Sequence, residues 1–247
     1  MSRLVASVLG SSLLLFTLVV TPVKASGVDE PKYIVVCEVV GSCTGSNLVL
    51  AKFETVYVGD VLPHEWVCSW SAEAVKSGAV AVRTYGWWRV EHPRSSTYDI
   101  YGTSSDQNFV INSHNSTCDS RISATAGTRV EYSSSRAFTA YRAETGNPTQ
   151  SGGKPYLVSV SDPHTSASST GPGLCQNGSQ AYGSGGTSYT TILHHYYTSV
   201  AVATGANYFV SEIYVCNNGS KTRVETWVDS SDGSTFTRSY AAGTCPV

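Results

Sequence analysis

Charge is scarce in this chain: only 14% of its 247 residues are Asp, Glu, Lys or Arg, and the formal net charge is −2. Capture of nucleic acid needs clustered cations that displace counterions, so a phosphate-rich polymer is a poor partner. No Lys or Arg occurs from Thr165 to Ser220, which removes the phosphate-cradle reading of the glycine-rich stretch GPGLCQNGS at 171–179. There is no CxxC pair, and the six histidines are scattered. His114 and Cys118, four apart, are at most half of a metal site. No Ser/His/Asp or Cys/His set stands out by motif, which argues against a protease. Beyond the first 25 residues no uncharged apolar run is long enough to cross a bilayer, and no internal repeat is visible.

What the chain has instead is Gly, Ser, Thr, Tyr and cysteine. Residues 1–25 read as an export signal, with Arg3 ahead of an apolar run at 9–20 and a small-residue cleavage site at Ala25. An uncleaved membrane anchor is the competing reading. A secreted product starting near Ser26, with no membrane contact after cleavage, is the expectation. Loss of Arg3 and Lys24 would make it more acidic still. All seven cysteines lie after Ala25, where export permits disulfides. Cys216–Cys245 is expected to close the C-terminal β piece and Cys37–Cys43 to form a second pair. Among Cys68, Cys118 and Cys175 at most one more pair can form, because seven is odd.

The stretch 56–92, VYVGDVLPHEWVCSWSAEAVKSGAVAVRTYGWWRVEH, organises the rest. Pro63 fixes φ just ahead of His64 and Glu65, with Trp66 and Trp70 close behind, so Glu65 is expected in a tight turn or short helix beside apolar rings that raise its pKa. Ser71 is an N-cap candidate with Glu73 in the first turn. Val75, Ala79, Val82 and Gly86 recur on one helical face, which predicts a helix over 72–90.

Before this helix, strands are expected at 33–40 and 48–53. After it, loop is expected at 112–119, strands at 122–132 (with Gly127 as a turn), 137–142 and 156–160, and a glycine-rich loop at 166–186. A short helix at 187–199 and strands at 208–216, 222–228 and 236–240 complete the chain. The fold class is therefore α+β: mixed β-strands packed around one long helix, with a second short helix, in a domain over 26–200 followed by a disulfide-linked β extension over 201–247.

Four motifs in order resemble the family of sporulation stage II protein D and the LytB amidase enhancers. YVGDVLPHEW at 57–66 is similar to the family's Tyr-Val-x-Gly-Val-x-x-Glu-Met, and AVKSGAVAVRTY at 74–85 to its Ala-Leu-Lys-Ala-Gln-Ala-Val-Ala-Ala-Arg-Thr-Tyr. Residues 99–107 and 125–127 match its middle section. GPGLCQNGS, followed by ILHHYY at 192–197, resembles its glycine loop and terminal helix. Two departures stand out: Gly78 replaces the helix glutamine, and Thr170 the histidine before the glycine loop.

The resemblance implies a lytic transglycosylase acting on bacterial cell-wall glycan, with Glu65 as the catalytic carboxylate. One carboxyl group suffices for that reaction, whereas ordinary glycoside hydrolysis uses two. Arg83 would orient a sugar substituent, and Gln107, Tyr141 and Gln176 would bind the sugars. Against each stands a plainer role: a solvated charge for Glu65, a pair with Glu91 or capped carbonyls for Arg83, structural hydrogen bonds for the other three. No cofactor is expected; the resemblance raises zinc, but no full Cys/His ligand set is evident. Peptidoglycan glycan strands are the implied partner, with a cell-wall amidase if the enhancer branch applies. The rival functions are a non-catalytic glycan-binding enhancer and a surface or adhesion protein that keeps the fold.

Overall fold

The computed structural model describes residues 27–144, 146–164 and 171–245. The expected export signal over 1–25 and Thr170 lie outside the described residues. At the centre is a 20-residue helix, Ala72–Glu91, α2 in chain order. Ser71 caps it, its Oγ accepting the Ala74 N–H at 3.3 Å. The sequence pattern suggests one buried face, yet every residue from 77 to 87 is buried. Small side chains at Ser77, Gly78, Ala79, Ala81 and Gly86 let neighbours close on it from all sides, as expected of a core helix rather than a surface one.

β1 (Tyr33–Cys37) and β2 (Leu48–Lys52) pair antiparallel, with Tyr33 opposite Lys52 and Cys37 opposite Leu48. β3 (Ile100–Tyr101) adds to β1 in parallel. From β2 the chain turns into a π-helix, Phe53–Val58, that continues as α1, Gly59–Glu65. Pro63 lies inside α1 and the helix ends two residues later, with Trp66 already extended.

Several expected elements differ. Instead of loop at 112–119 and a strand from 122, the structure has α3, Ser116–Ser123. Asn115 is its N-cap, its Oδ1 accepting the N–H groups of Thr117 and Cys118. Polar composition hides this helix, whose buried side is only Cys118 and Ile122. Strand β4 begins later, Arg129–Tyr132, and pairs with β5 (Ser135–Arg136) and β8 (Ala201–Ala203). The expected strand at 137–142 shrinks to β6, Tyr141–Arg142, parallel to β7, Leu174–Cys175. Residues 156–160 form no strand. Tyr156 and Leu157 are buried, but their backbone bonds go to loops.

In place of a glycine loop, residues after β7 form α4, Gln176–Ser184. Its glycines serve close packing: a Cβ at Gly178 would overlap Tyr196, and one at Gly183 would overlap Ser71. α5, Tyr189–Tyr196, packs beside it. The last three strands, β9 (Asn207–Asn217), β10 (Ser220–Asp229) and β11 (Thr235–Thr244), form an antiparallel sheet in the order β11-β10-β9. This sheet begins at Asn207, because β8 belongs with β4. The N-terminal segment stitches it to the body through Glu30 N–H to Asn207 O, Arg238 to Asp29 and Lys32 to Glu225.

Disulfides join Cys37 to Cys43, Cys68 to Cys118 and Cys216 to Cys245; Cys175 is a buried thiol. The Cys68–Cys118 bond takes Cys118 out of any metal site. No helix among the described residues is long and apolar enough to cross a membrane.

Arg83 is fully buried and spends all five N–H donors inside the fold. Nε and Nη2 bind the Glu54 carboxylate at 2.8 and 2.6 Å, and the rest reach the carbonyls of Ile122, Thr125 and Thr128. Glu30 lies 3.6 Å from Nε. Burial, and then the adjacent Glu54 charge, push Glu30 well above the carboxylate range. Truncating one partner of a buried pair strands the other, so Arg83→Met should lower stability by about 3–5 kcal/mol in chemical denaturation.

Candidate active site

Glu65 is the last residue of α1 and stands at the wall of an open pocket of about 480 Å³. One side of the pocket is the chain from Pro63 to Ser69; the other is the start of α3 at Asn115 and Thr117. The Cys68–Cys118 disulfide clamps these two sides together. Its partner choice was open in the sequence, because only proximity in the fold selects among three thiols.

The Glu65 carboxyl is held at both oxygens. Oε1 accepts the Asn108 backbone N–H at 2.6 Å, and Oε2 accepts Gln176 Nε2 at 3.3 Å. Gln176 Nε2 also donates to the Glu65 carbonyl at 2.7 Å, which fixes the end of α1 against the start of α4. Burial raises the Glu65 pKa to about 7, and the bonds from Asn108 and Gln176 oppose that rise. The group is therefore poised to give and take a proton near neutrality.

Asn108 had no signal in the sequence; it reaches the Glu65 carboxyl through both its backbone N–H and its side chain. What positions it is the loop before it. Asp106 accepts from Tyr85 Oη and Arg89 inside the fold, from Arg94 at its rim, and from the Tyr101 N–H. Burial pushes the Asp106 carboxyl up, but the Arg94 and Tyr85 bonds outweigh it and hold the pKa below the ordinary value.

Gln107 is fully buried. Its Oε1 accepts from Tyr57 Oη, and its Nε2 donates to Tyr141 Oη at 2.9 Å. It thus supports Tyr141 rather than facing the pocket. Tyr141 meets the edge of the Trp66 ring at 4.9 Å between centroids. Burial, and next the Glu65 charge, hold its phenol well above the usual range. So Glu65 is bonded to Gln176 and Tyr141 to Gln107, and the Tyr141 ring lies against Trp66, the residue after Glu65. Arg83 joins neither pair: its donors are consumed by Glu54 and carbonyls, leaving none for a sugar, and Glu91 pairs with Arg136 instead.

Trp66 is buried and donates from Nε1 to Ser179 Oγ at 3.2 Å. Its indole lies where a Cβ at Gly78 would stand. This explains the departure at Gly78. Where the family pattern sets Met after the Glu and Gln in the helix, this chain sets a large Trp against a Gly. Among the described residues no three His, Cys, Asp or Glu side chains gather into a group that could hold a metal ion.

The exchange predicts strong coupling. Gly78→Ala alone should destabilise by roughly 1–3 kcal/mol through overpacking. Trp66→Met with Gly78→Gln should cost measurably less than the sum of the two single changes, read in a double-mutant cycle by urea denaturation.

Residues 48–132 match the family model described as SpoIID: Stage II sporulation protein. The match includes Glu65, Arg83 and Gln107, whereas Tyr141 and Gln176 lie outside it. No curated protein matches the chain. The Glu65 motif, the central helix and the disulfide-linked α3 all fall within that span, so Glu65 lies in the part of the chain that is similar to the stage II sporulation protein family.

Proposed function

We propose that the protein is a secreted lytic transglycosylase of the bacterial cell wall. The observation that carries this reading is a single carboxyl group with a pKa of about 7, held at both oxygens in the wall of an open pocket. Among the described residues lining that pocket, Glu65 is the one acid. A hydrolase would use a second carboxylate about 5–9 Å away to attack the sugar or activate water. A transglycosylase reuses the first.

In the proposed reaction the protonated Glu65 donates to the glycosidic oxygen that links N-acetylmuramic acid to N-acetylglucosamine, and the bond from the muramic C1 to that oxygen breaks. The muramic 6-hydroxyl oxygen bonds to C1 and closes the anhydro ring, while its proton passes to Glu65. The acid is restored and no water is consumed. Between these steps the carboxylate is stabilised by the Asn108 N–H and Gln176. Tyr141 receives a hydrogen bond from Gln107, so its own O–H can turn toward a sugar. Three disulfides suit an oxidising compartment and support export. A cell-wall amidase as partner rests on the resemblance alone.

Mass spectrometry of wall digests tests the reaction. Anhydro-muramic ends should appear with wild type and fall at least roughly a hundredfold with Glu65→Gln, the scale of one lost acid–base group. Ordinary reducing ends would mean a hydrolase, and no cleavage by the wild type would mean a glycan-binding enhancer.

The pH dependence has a definite sign. The folded pKa of about 7 exceeds the ordinary 4.5, so the folded state binds this proton more tightly than the unfolded chain. The cost to stability is absent below about pH 4.5, grows through about 7, and is complete above it. It should reach on the order of 3 kcal/mol, at about 1.4 kcal/mol per pH unit. Activity should fall as pH rises through about 7, and Glu65→Gln should be the more stable chain at pH 8 but not at pH 4. Denaturation of both chains across this range, beside a rate profile, checks it; activity still rising well past pH 8 would contradict a proton-donating Glu65.

A further inference from the structure

The C-terminal sheet changes character along its length. Near the body its rows are buried or charge-paired: Phe209 and Trp227 are in the interior, Lys32 bridges Glu212 and Glu225, and Arg238 binds Asp29. Farther out the neighbours stop. There Tyr214, Arg223 and Tyr240 stand directly opposite one another on β9, β10 and β11, so their side chains share one face. Tyr214 is 52% exposed and Tyr240 40%.

Lys221 on the same face holds its ammonium 4.5 Å from the centre of the Tyr214 ring, and the Arg223 guanidinium lies 4.8 Å from that of Tyr240. Lys221 pairs with no acid among the described residues, and Arg223 keeps only an Nε contact to Glu225 at 3.2 Å. The Cys216–Cys245 disulfide ties the two outer strands at this end.

We infer that this face is a second, non-catalytic binding platform for the acidic glycan strand of the cell wall, resting on the reading above that wall glycan is the substrate. Two exposed phenol rings, two strand spacings or about 10 Å apart, offer apolar faces on the scale of a disaccharide. The two cations beside them match the carboxylates that muramic acid and its peptides carry. In a chain of net negative charge this cationic, aromatic row is a local exception. Disulfide bracing reduces the ordering cost of binding. The platform would hold insoluble wall while the Glu65 pocket works on strands nearby.

Co-sedimentation with sacculi acid-stripped of phosphate polymers tests this, using the full exported chain carrying Glu65→Gln so that nothing is digested. Tyr214→Ala with Tyr240→Ala should weaken binding roughly tenfold or more, as for two lost aromatic anchors. Lys221→Gln with Arg223→Gln should flatten its salt dependence. Tyr214→Phe with Tyr240→Phe keeps the rings and should bind as the parent does, which separates stacking from misfolding. With Glu65 restored, the double alanine chain should release anhydro ends from short soluble glycan at the wild-type rate. Unchanged sedimentation of the alanine chain, equal loss in the phenylalanine chain, or binding only to walls that retain phosphate polymers would overturn the platform. Absence of anhydro ends from every chain would instead overturn the role of Glu65, while sacculus binding would still judge the platform.

Discussion

The Arg83 guanidinium, buried against Glu54, is the interaction on which the rest of the molecule hangs. One side chain on α2 collects the π-helix through Glu54, the end of α3 through the carbonyl of Ile122, and the turn after it through those of Thr125 and Thr128. Glu30 of the N-terminal segment lies against the same pair. In a low-dielectric interior such a pair gains little net stability over apolar packing, but a chain that leaves either partner alone is heavily penalised. That penalty rejects alternative registers of the segments that meet there. Because the π-helix runs straight into α1, fixing Glu54 also fixes where α1 ends, and it ends on Glu65.

At Glu65 two opposing effects are balanced. Burial alone would drive the carboxyl far toward its neutral form, and hydrogen bonds from Asn108 and Gln176 pull it back, leaving a value of about 7. Neither donor is loose. Asn108 follows a loop anchored on Asp106 by two arginines and a tyrosine, and Gln176 is locked to the Glu65 carbonyl at the start of α4. The disulfide from Cys68 to Cys118 sets the width of the pocket on the other side. The acid, its donors and its pocket therefore come from four separate stretches of chain that share no local pattern.

The pair of Trp66 and Gly78 shows how a departure from a family pattern can be a repacking. Taken singly, the loss of a helix glutamine looks like the loss of a polar contact. In the fold, the missing side chain is the space the indole occupies, and the indole's N–H finds Ser179 instead. The polar group has been exchanged for aromatic surface beneath Tyr141.

Local chemistry was enough to mark the α+β class, the capped central helix, the β1–β2 hairpin, the last three strands and the prominence of Glu65. Each of these depends on neighbours in sequence: a cap three residues from its N–H, a turn between two β-branched runs, a proline before a carboxylate. Two of the three disulfides also followed from local closure of short β pieces. The tertiary structure alone decided the rest. α3 and α4 are polar or glycine-rich segments whose helicity comes from what they pack against, and the 156–160 run reads as strand but finds no strand to pair with. The resemblance implies a ligand contact for Arg83, but its burial depends on Glu54, 29 residues away, and on carbonyls still more distant. The resemblance implies a sugar contact for Gln107, but its buried place behind Tyr141 makes it a support. A sequence records which side chains can donate, accept or ionise, and only the fold determines which of them face one another and which still face solvent.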